Sequence, residues 1–215
     1  ERVFREIYCA LTVKFGIERM RHAKLVMGSA GIDRPLDVEV YRNALVNSGF
    51  TCDVEVFNDA YIALVGGNGG RQDALLIAGT GSIAIGISKD GNEVRTGGWG
   101  AIISDYGSGY KLGMKAISAV MVHYDGIVDY TSLTEYLLDF FHLASPEEFM
   151  ELIYLDGKLP VEKIASCAPI VLEEFLKGDI AAKNIVEDEI SEVCKMIFGL
   201  GRKMKMENFK LSVAG

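Results

Sequence analysis

The sequence lacks any apolar run of the roughly 18 to 20 residues that a membrane-spanning helix requires, and its first residues show no signal-peptide pattern. It also lacks a basic stripe interleaved with aromatic residues, because 22 lysines and arginines are outnumbered by 30 aspartates and glutamates, a net charge of −8. A nucleic-acid groove needs such a stripe to replace the counterions of the phosphates. We therefore expect neither a membrane nor a nucleic acid as a partner.

Cysteine is scarce, and the sequence contains no CxxC pair. The four cysteines, Cys9, Cys52, Cys167 and Cys194, lie far apart in the chain. This spacing gives little support to a structural zinc site or a thioredoxin-type motif. Buried free thiols in a reducing cytoplasm are the simpler interpretation, so we expect a cytoplasmic protein.

The first third of the chain alternates between helical and strand-like patterns. With 215 residues and 49% hydrophobic content, the chain can bury a core as one large domain or two small ones. Helical spacing over residues 2–15 places Val3, Ile7, Ala10, Leu11 and Lys14 on one face. A buried strand is predicted at 24–29, a helix from Pro35 to about Ser48, a strand at 52–57 and a helix at 60–65. Short strands between helices predict a parallel α/β sheet.

A glycine-rich run at residues 66–70 separates this part from the rest. A phosphate-binding loop should follow a strand and open a helix, whereas this run follows a helix and precedes a strand. We therefore interpret it as a mobile connection or a domain boundary. The predicted domains are residues 1–71 and 72–215.

The second part begins with strands and continues mostly as helices. Strands are predicted at 74–78, 83–88 and 93–96, with a hairpin signal at 89–92, and a last strand at 210–214. Helices are predicted at 108–124, 131–142, 146–155, 160–177 and 180–205. Ser145 and Pro146 have the spacing of a helix start, with the serine as its cap.

Asp59 is the first candidate for chemistry. It follows a predicted strand, and ligands of open α/β sheets bind at the carboxyl ends of strands. A carboxylate there can accept the proton of an attacking hydroxyl group. The alternative is that Asn58 or Asp59 caps the following helix, although capping does not explain why both are present.

Two glycine-containing turns follow. Gly79-Thr80-Gly81-Ser82 offers unobstructed backbone N–H groups and two hydroxyls, which is typical of an anion-binding nest, or else of a plain hairpin turn. Gly97-Gly98-Trp99-Gly100 places the only tryptophan of the sequence, a flat apolar face suited to a sugar ring, on backbone that a ligand can approach. Trp99 as a core residue is the alternative.

Asp105 adds a second carboxylate close behind the tryptophan. It can bind sugar hydroxyls, or it can cap the helix that begins near Ser108. We expect the acid at 59, the turn at 79–82 and the indole at 99 to converge on one cavity.

Four motifs follow one another in the sequence: Asn58-Asp59-Ala60, Ala78-Gly79-Thr80-Gly81-Ser82, Gly97-Gly98-Trp99-Gly100 and Asp105-x-Gly107-Ser108. In this order they resemble the motifs of the BadF/BadG/BcrA/BcrD family, most closely those of its N-acetylglucosamine kinases. The resemblance is clear from about Leu25 to Tyr124. It implies an α/β, ribonuclease H-like, actin/hexokinase-type fold of two lobes. It also implies ATP and Mg²⁺ as cofactors, and it leaves a homodimer as an open option. Asp59 would deprotonate the sugar's 6-hydroxyl, and Gly79, Thr80, Gly81 and Ser82 would bind phosphate. Gly98, Trp99, Asp105 and Ser29 would contact the sugar.

Two departures from the family pattern matter. Ser104 and Tyr106 stand where these kinases usually have Gly and Glu, so the N-acetyl or anomeric side of the sugar is expected to be recognised differently. The family's opening Asp-Gly-Gly-x-Thr hairpin, which helps to place Mg²⁺, is absent, so no metal ligand is assigned.

We expect these 215 residues to be an internal piece of a longer kinase, which would be inactive alone. Residues 1–71 would be the remainder of the N-terminal lobe, whose first part is missing, and 72–215 an incomplete C-terminal lobe whose adenine-side turn begins at or after Gly215.

Two other functions stay open. One is the family's activator ATPases of radical dehydratases or benzoyl-CoA reductase-type systems, which hold an iron–sulfur cluster between two subunits. Cys167 or Cys194 would be its ligand here, although both lie in patterns typical of helix-core positions. The other is a sugar-sensing module that binds its ligand without transferring phosphate.

Overall fold

The computed structural model describes residues 1–29, 31–32, 34–68, 73–155 and 159–215, and the chain divides into two compact units, Glu1–Arg71 and Gln72–Gly215. The first unit contains α1 (Arg2–Phe15), α2 (Ile17–Arg21), β1 (Lys24–Ser29), α3 (Pro35–Asn47), β2 (Asp53–Asn58) and α4 (Asp59–Asn68). The predicted order of helices and strands is therefore confirmed, except that the short helix α2 was not predicted. Helix α4 continues through Gly66 and Gly67, beyond its predicted end, and Gly69 and Gly70 lie outside the described residues.

Strands β1 and β2 pair in parallel, from Lys24 opposite Asp53 to Ser29 opposite Asn58. Val54 and Val56 of β2 are buried against Leu45 and Phe50. Strand β1 was predicted to be buried, but its alternate residues are exposed, including Val26 at 52%. The register brings the carboxyl ends of both strands to one edge of the sheet.

Helix α1 forms where it was predicted, but of the predicted stripe only Leu11 packs against the core. Phe4 and Tyr8 contact the core of the first unit, whereas Val3 and Ile7 of the predicted stripe are 61% and 46% exposed. The aromatic rings occupy positions i and i+4, and the Tyr8 ring packs edge-on against Phe50 at 5.1 Å between centroids. Because aromatic rings bury more area than Val or Ile, they determine which face is covered.

The second unit contains a mixed sheet in the order β5-β4-β3-β6. Its strands are β3 (Ala74–Ala78), β4 (Ser82–Ile87), β5 (Glu93–Gly97) and β6 (Leu211–Ala214). Strand β4 is antiparallel to both β3 and β5, and β6 is parallel to β3. The strand and hairpin predictions for this part of the chain are confirmed.

The helices of this unit are α5 (Gly109–Tyr124), α6 (Leu133–Phe141), α7 (Glu148–Met150, continued by a π-helical turn at Glu151–Leu155), α8 (Val161–Ala165), α9 (Ala168–Lys177) and α10 (Ile180–Met204). The helix predicted over 160–177 is broken, and α9 begins anew with Pro169 in its first turn, a position that proline favours. The predicted serine cap is also wrong. Ser145 bonds Glu148 N–H through its backbone carbonyl, and α7 begins at Glu148.

Helix α10 contributes to both cores of the second unit. Its first half packs with α5, α6 and α9 around Val120, Leu137 and Val171, and its second half places Leu200 and Met204 against the sheet. No helix among the described residues is long and apolar enough to cross a membrane.

The cysteines differ in burial from the prediction. All four are free, but only Cys167 is buried, in the helical core, while Cys9 and Cys194 are exposed and Cys52 is intermediate. The prediction of buried thiols is therefore wrong for Cys9 and Cys194, and the predicted helix-core position is wrong for Cys194, which is exposed on α10.

Candidate active site

Asp59 and Ser29 lie at the shared carboxyl edge of β1 and β2. The Asn58 side chain accepts the Ala60 N–H at 2.8 Å and donates to Ile32 O at 3.2 Å, so it caps α4 and also contacts the chain after β1. Asp59 is exposed, and its Oδ1 shares the Ala60 N–H at 2.9 Å. Because Asn58 already supplies a cap, capping alone does not account for an exposed carboxylate beside it.

The glycine–hydroxyl turn, residues 79–82, is bound to the start of α5. Gly109 N–H donates to Gly79 O at 2.8 Å, and Tyr110 N–H donates to Thr80 O at 3.3 Å. The positive end of the 16-residue helix α5 is thus close to the turn, as anion-binding sites favour. The two hydroxyls differ, since Thr80 is exposed whereas Ser82 is buried and donates to Tyr106 O at 2.7 Å.

The tryptophan turn, residues 97–100, presents its indole to solvent. Trp99 is 59% exposed, so the alternative that it is a core residue is wrong. The Arg95 guanidinium lies 4.5 Å from the ring centroid, a cation–π contact that orients the ring. Gly98 has φ +66°, and a Cβ there would lie 2.9 Å from the Ile83 side chain, so the turn requires glycine at this position.

The Asp105 loop, residues 104–108, joins the two turns. Asp105 is 7% exposed, and its Oδ1 accepts Gly100 N–H at 3.2 Å. Its Oδ2 would lie 2.7 Å from a Cβ on Gly81, so the carboxylate fits only against a glycine in the facing turn. Ser104 Oγ accepts the Trp99 N–H at 3.1 Å.

Ser108, and not Asp105, caps α5. Its Oγ accepts Lys111 N–H at 3.2 Å. The capping alternative for Asp105 is therefore wrong, and its buried carboxylate holds the tryptophan turn against the glycine–hydroxyl turn.

A cavity of about 620 Å³ opens beside the glycine–hydroxyl turn. Gly79 and Thr80 form one part of its wall together with Gly107 and Gly109, and the rest is mostly apolar surface from α8, α9 and α10. A concave, mostly apolar site with a few polar groups at one end is typical of small-molecule and cofactor binding. Its volume is sufficient for a nucleoside.

Glu189 is a wall residue of this cavity that sequence reasoning missed. It is 3% exposed, accepts Gly107 N–H at 2.6 Å and pairs with Lys115 Nζ at 2.8 Å. Its sequence signal was its spacing, because it falls between Val186 and Val193 on the inward-facing stripe of α10. A charged residue at such a position is rarely buried unless it is paired.

The structure therefore brings Gly79, Thr80, Gly81, Ser82, Gly98, Trp99 and Asp105 together within one unit, and Ser29 and Asp59 at one edge of the other. The meeting of these two sets in one cavity stays a prediction. Among the described residues, no group of three or more His, Cys, Asp or Glu side chains is arranged to bind a metal ion.

The cysteine chemistry gives the activator-ATPase alternative little support. Burial raises the pKa of the Cys167 thiol to about 12, although nearby Lys163 acts in the opposite direction. Cys167 is fully buried in the helical core, so it cannot reach a cluster that is shared between two subunits. Cys194 is exposed on the cavity wall.

These features define an α/β protein in which a glycine–hydroxyl turn lies beside a cavity and a second glycine turn carries a solvent-facing indole. The chain belongs to the BadF/BadG/BcrA/BcrD ATPase family, whose model matches residues 1–215. It is 35% identical to an N-acetylmuramic acid/N-acetylglucosamine kinase of Clostridium acetobutylicum, over all of this chain and 71% of the relative. It is 30% identical to an N-acetyl-D-glucosamine kinase of Dictyostelium discoideum, over 89% of this chain and 61% of that relative.

Solved structures confirm the fold class. A Chromobacterium violaceum protein provisionally assigned as an N-acetylglucosamine kinase superposes with a TM-score of 0.75 at 23% identity, over 91% of this chain and 65% of that one. A Porphyromonas gingivalis protein with the same provisional assignment gives a TM-score of 0.65 at 17% identity. At these identities the likeness shows the fold alone, which is the predicted actin/hexokinase-type α/β fold.

Proposed function

We propose that the protein is an ATP-dependent kinase that phosphorylates the 6-hydroxyl of N-acetylglucosamine or a related hexose. The observation that carries this proposal is the position of Asp105, whose carboxylate joins the glycine–hydroxyl turn to the tryptophan turn next to the cavity. The proposed phosphate turn and the proposed sugar-binding turn would thereby lie side by side. The kinase names of the two relatives support the same function.

The nucleotide would bind with its base in the apolar cavity and its phosphates at the glycine–hydroxyl turn. Thr80 offers an exposed hydroxyl there, and the start of α5 favours negative charge, whereas the Gly79 N–H is already bonded to Gly81 O at 2.9 Å. Ser82 would act through its backbone, because its hydroxyl is bonded to Tyr106. When bound, ATP with Mg²⁺ supplies the phosphoryl group. Mg²⁺ in kinases is held largely by phosphate oxygens with one or two carboxylates, so no dense protein cluster is required.

The sugar would lie against Trp99. An exposed indole face beside Gly98 fits the apolar face of a pyranose ring. Asp105 and Ser29 are the proposed contacts to its hydroxyls, and Asp105 also fixes the turn that carries the indole.

Asp59 is the proposed general base. An exposed carboxylate at the carboxyl edge of β2 can accept the proton of the sugar's 6-hydroxyl as its oxygen attacks the γ-phosphorus. Phosphoryl transfer depends mainly on positioning and electrostatic stabilisation, so this role requires Asp59 to reach the site formed by the other unit. We propose that the enzyme works in the cytoplasm, where ATP is available; the homodimer stays an open option that the family resemblance implies.

The test is an ATP-consumption screen of the full-length protein with N-acetylglucosamine, glucose, N-acetylmannosamine and glucosamine. We expect ADP release that depends on at least one of these sugars. ADP release that none of them increases would contradict the proposal and favour the activator ATPase, and sugar binding without ADP release would favour a sensor.

A further inference from the structure

Glu189 is a buried acid that the proposed reaction does not use. It lies on α10 with 3% of its surface exposed, among apolar side chains. Burying a carboxylate costs several kcal/mol unless charges and hydrogen-bond donors compensate for the lost water. A buried acid that is retained in such a place is therefore expected to have specific partners.

The partners of Glu189 come from two other elements. Oε2 accepts the backbone N–H of Gly107 at 2.6 Å, and Oε1 pairs with Nζ of Lys115 on α5 at 2.8 Å. Lys115 also lies 3.7 Å from Asp188, which is exposed. The short bond to Gly107 has a charged acceptor, so it is stronger than a bond between neutral groups.

Gly107 lies within the Asp105 loop, whose other bonds fix both turns of the candidate site. Asp105 accepts the Gly100 N–H, and the Tyr106 carbonyl accepts the Ser82 hydroxyl. Ser108, which follows Gly107, caps α5. Val193, also on α10, packs so closely against Gly107 that a Cβ there would clash with it. Glu189 and Val193 thus anchor the loop to α10.

Glu189 also lines the cavity that contains Gly79 and Thr80. We infer that Glu189 is a positioning residue. It holds the Asp105 loop, and through this loop the Trp99 turn, in a fixed position relative to the cavity. This inference rests on the proposed function for its kinetic consequence. Its structural part, the attachment of the loop to α10, can be tested without catalysis.

The test compares Glu189→Ala with Glu189→Gln and with Glu174→Ala in the full-length protein. Alanine removes the acceptor of Gly107 N–H, whereas glutamine keeps one oxygen that can accept it and loses the charge and the second oxygen, which pairs with Lys115. Glu174 on α9 is a matched control, since it is equally buried at 3%, pairs with Lys177 and is bonded to Ser132, with no bond to the loop.

The first readout is amide hydrogen exchange of Trp99, Gly100 and Gly107, whose N–H groups donate to this network. We expect Glu189→Ala to speed their exchange at least about tenfold, Glu189→Gln to stay within a few-fold of wild type, and Glu174→Ala to leave it unchanged. Unchanged exchange in Glu189→Ala, or an equal effect of Glu174→Ala, would overturn the inference.

The second readout is steady-state kinetics with the best sugar of the screen. We expect Glu189→Ala to lower kcat/KM for the sugar about tenfold or more, mainly through KM, with substantial recovery in Glu189→Gln. Faster exchange with unchanged sugar kinetics would overturn the positioning role. If wild type transfers phosphate to no sugar while Glu189→Ala still exchanges faster, the attachment is confirmed and the proposed function alone fails.

Discussion

At the scale of single residues, the candidate site combines exposed side chains with buried ones that hold them in place. Trp99 is exposed, yet its backbone N–H is bonded to Ser104 and its ring is covered on one side by Arg95. The sequence identified the tryptophan and its glycines, because an indole between glycines has few structural uses. It did not identify Arg95, whose contact depends on the strand geometry of β5.

Replacing Trp99 by Ala should weaken sugar binding before it affects turnover. The indole face supplies apolar contact area, so we expect a sugar KM raised about tenfold or more, with kcat changed only a few-fold. Steady-state kinetics of the full-length protein would measure this. Phe198→Ala is the matched control, since Phe198 is also an exposed aromatic residue, at 70%, and lies on α10. Equal effects of the two variants would contradict a sugar-binding role for Trp99.

Gly81→Ala tests the contact between the glycine–hydroxyl turn and Asp105. The added Cβ would lie 2.7 Å from Asp105 Oδ2, so the carboxylate must shift, and we expect the free energy of unfolding to fall by about 1–3 kcal/mol. Gly79→Ala is the control within the same turn, because nothing lies within 4 Å of a Cβ there. Urea denaturation would compare the two variants. Equal stability losses would show that Asp105 does not pack on Gly81 as described.

At the scale of elements, local patterns identified long helices well and short ones poorly. Helix α10 was predicted at 180–205 and runs over Ile180–Met204, because its apolar spacing persists for seven turns. The break between α8 and α9 was missed because Ile164 and Val171 continue the apolar stripe across it. Neither Asp179 nor Thr131 was identified as important, since their contact joins residues 48 positions apart.

Asp179 caps α10 and provides a test of stability against pH. It accepts Ala182 N–H at 2.8 Å and also hydrogen bonds from Thr131 and Ser132. Burial raises the pKa of Asp179, but these hydrogen bonds outweigh it and lower the pKa below the ordinary 3.8. The folded protein therefore holds this proton less tightly than the unfolded chain. The stabilisation is complete above about pH 4 and is lost as pH falls through the folded pKa.

We expect Asp179→Ala to cost about 1–2 kcal/mol of unfolding free energy at neutral pH, as loss of a helix cap does. Asp179→Asn should cost less, because it keeps an acceptor for Ala182 N–H, and it should flatten the decline in stability between pH 5 and 3. Urea denaturation across that range would measure both effects. A decline in Asp179→Asn as steep as in wild type would contradict the assignment.

At the scale of the whole molecule, the sequence predicted the fold class from motif order, but not the contacts that assemble the site. The bond between Gly107 and Glu189 spans 82 residues, and the cavity wall comes from helices that carry no recognisable motif. Such contacts follow from how α5 and α10 pack, which local spacing does not encode. The role of Asp59 likewise depends on both units and is the central claim about the molecule.

The most direct test of that claim is the rate of sugar-dependent ADP formation by Asp59→Asn in the full-length protein, at saturating ATP and sugar. Asparagine keeps an oxygen acceptor for Ala60 N–H, so the fold should persist, while the base is lost. Asp53→Asn, at the opposite end of β2, is the control. We expect turnover by Asp59→Asn to fall about a hundred- to ten-thousandfold with sugar binding largely kept, and Asp53→Asn to behave as wild type. Turnover by Asp59→Asn within a few-fold of wild type would contradict the account.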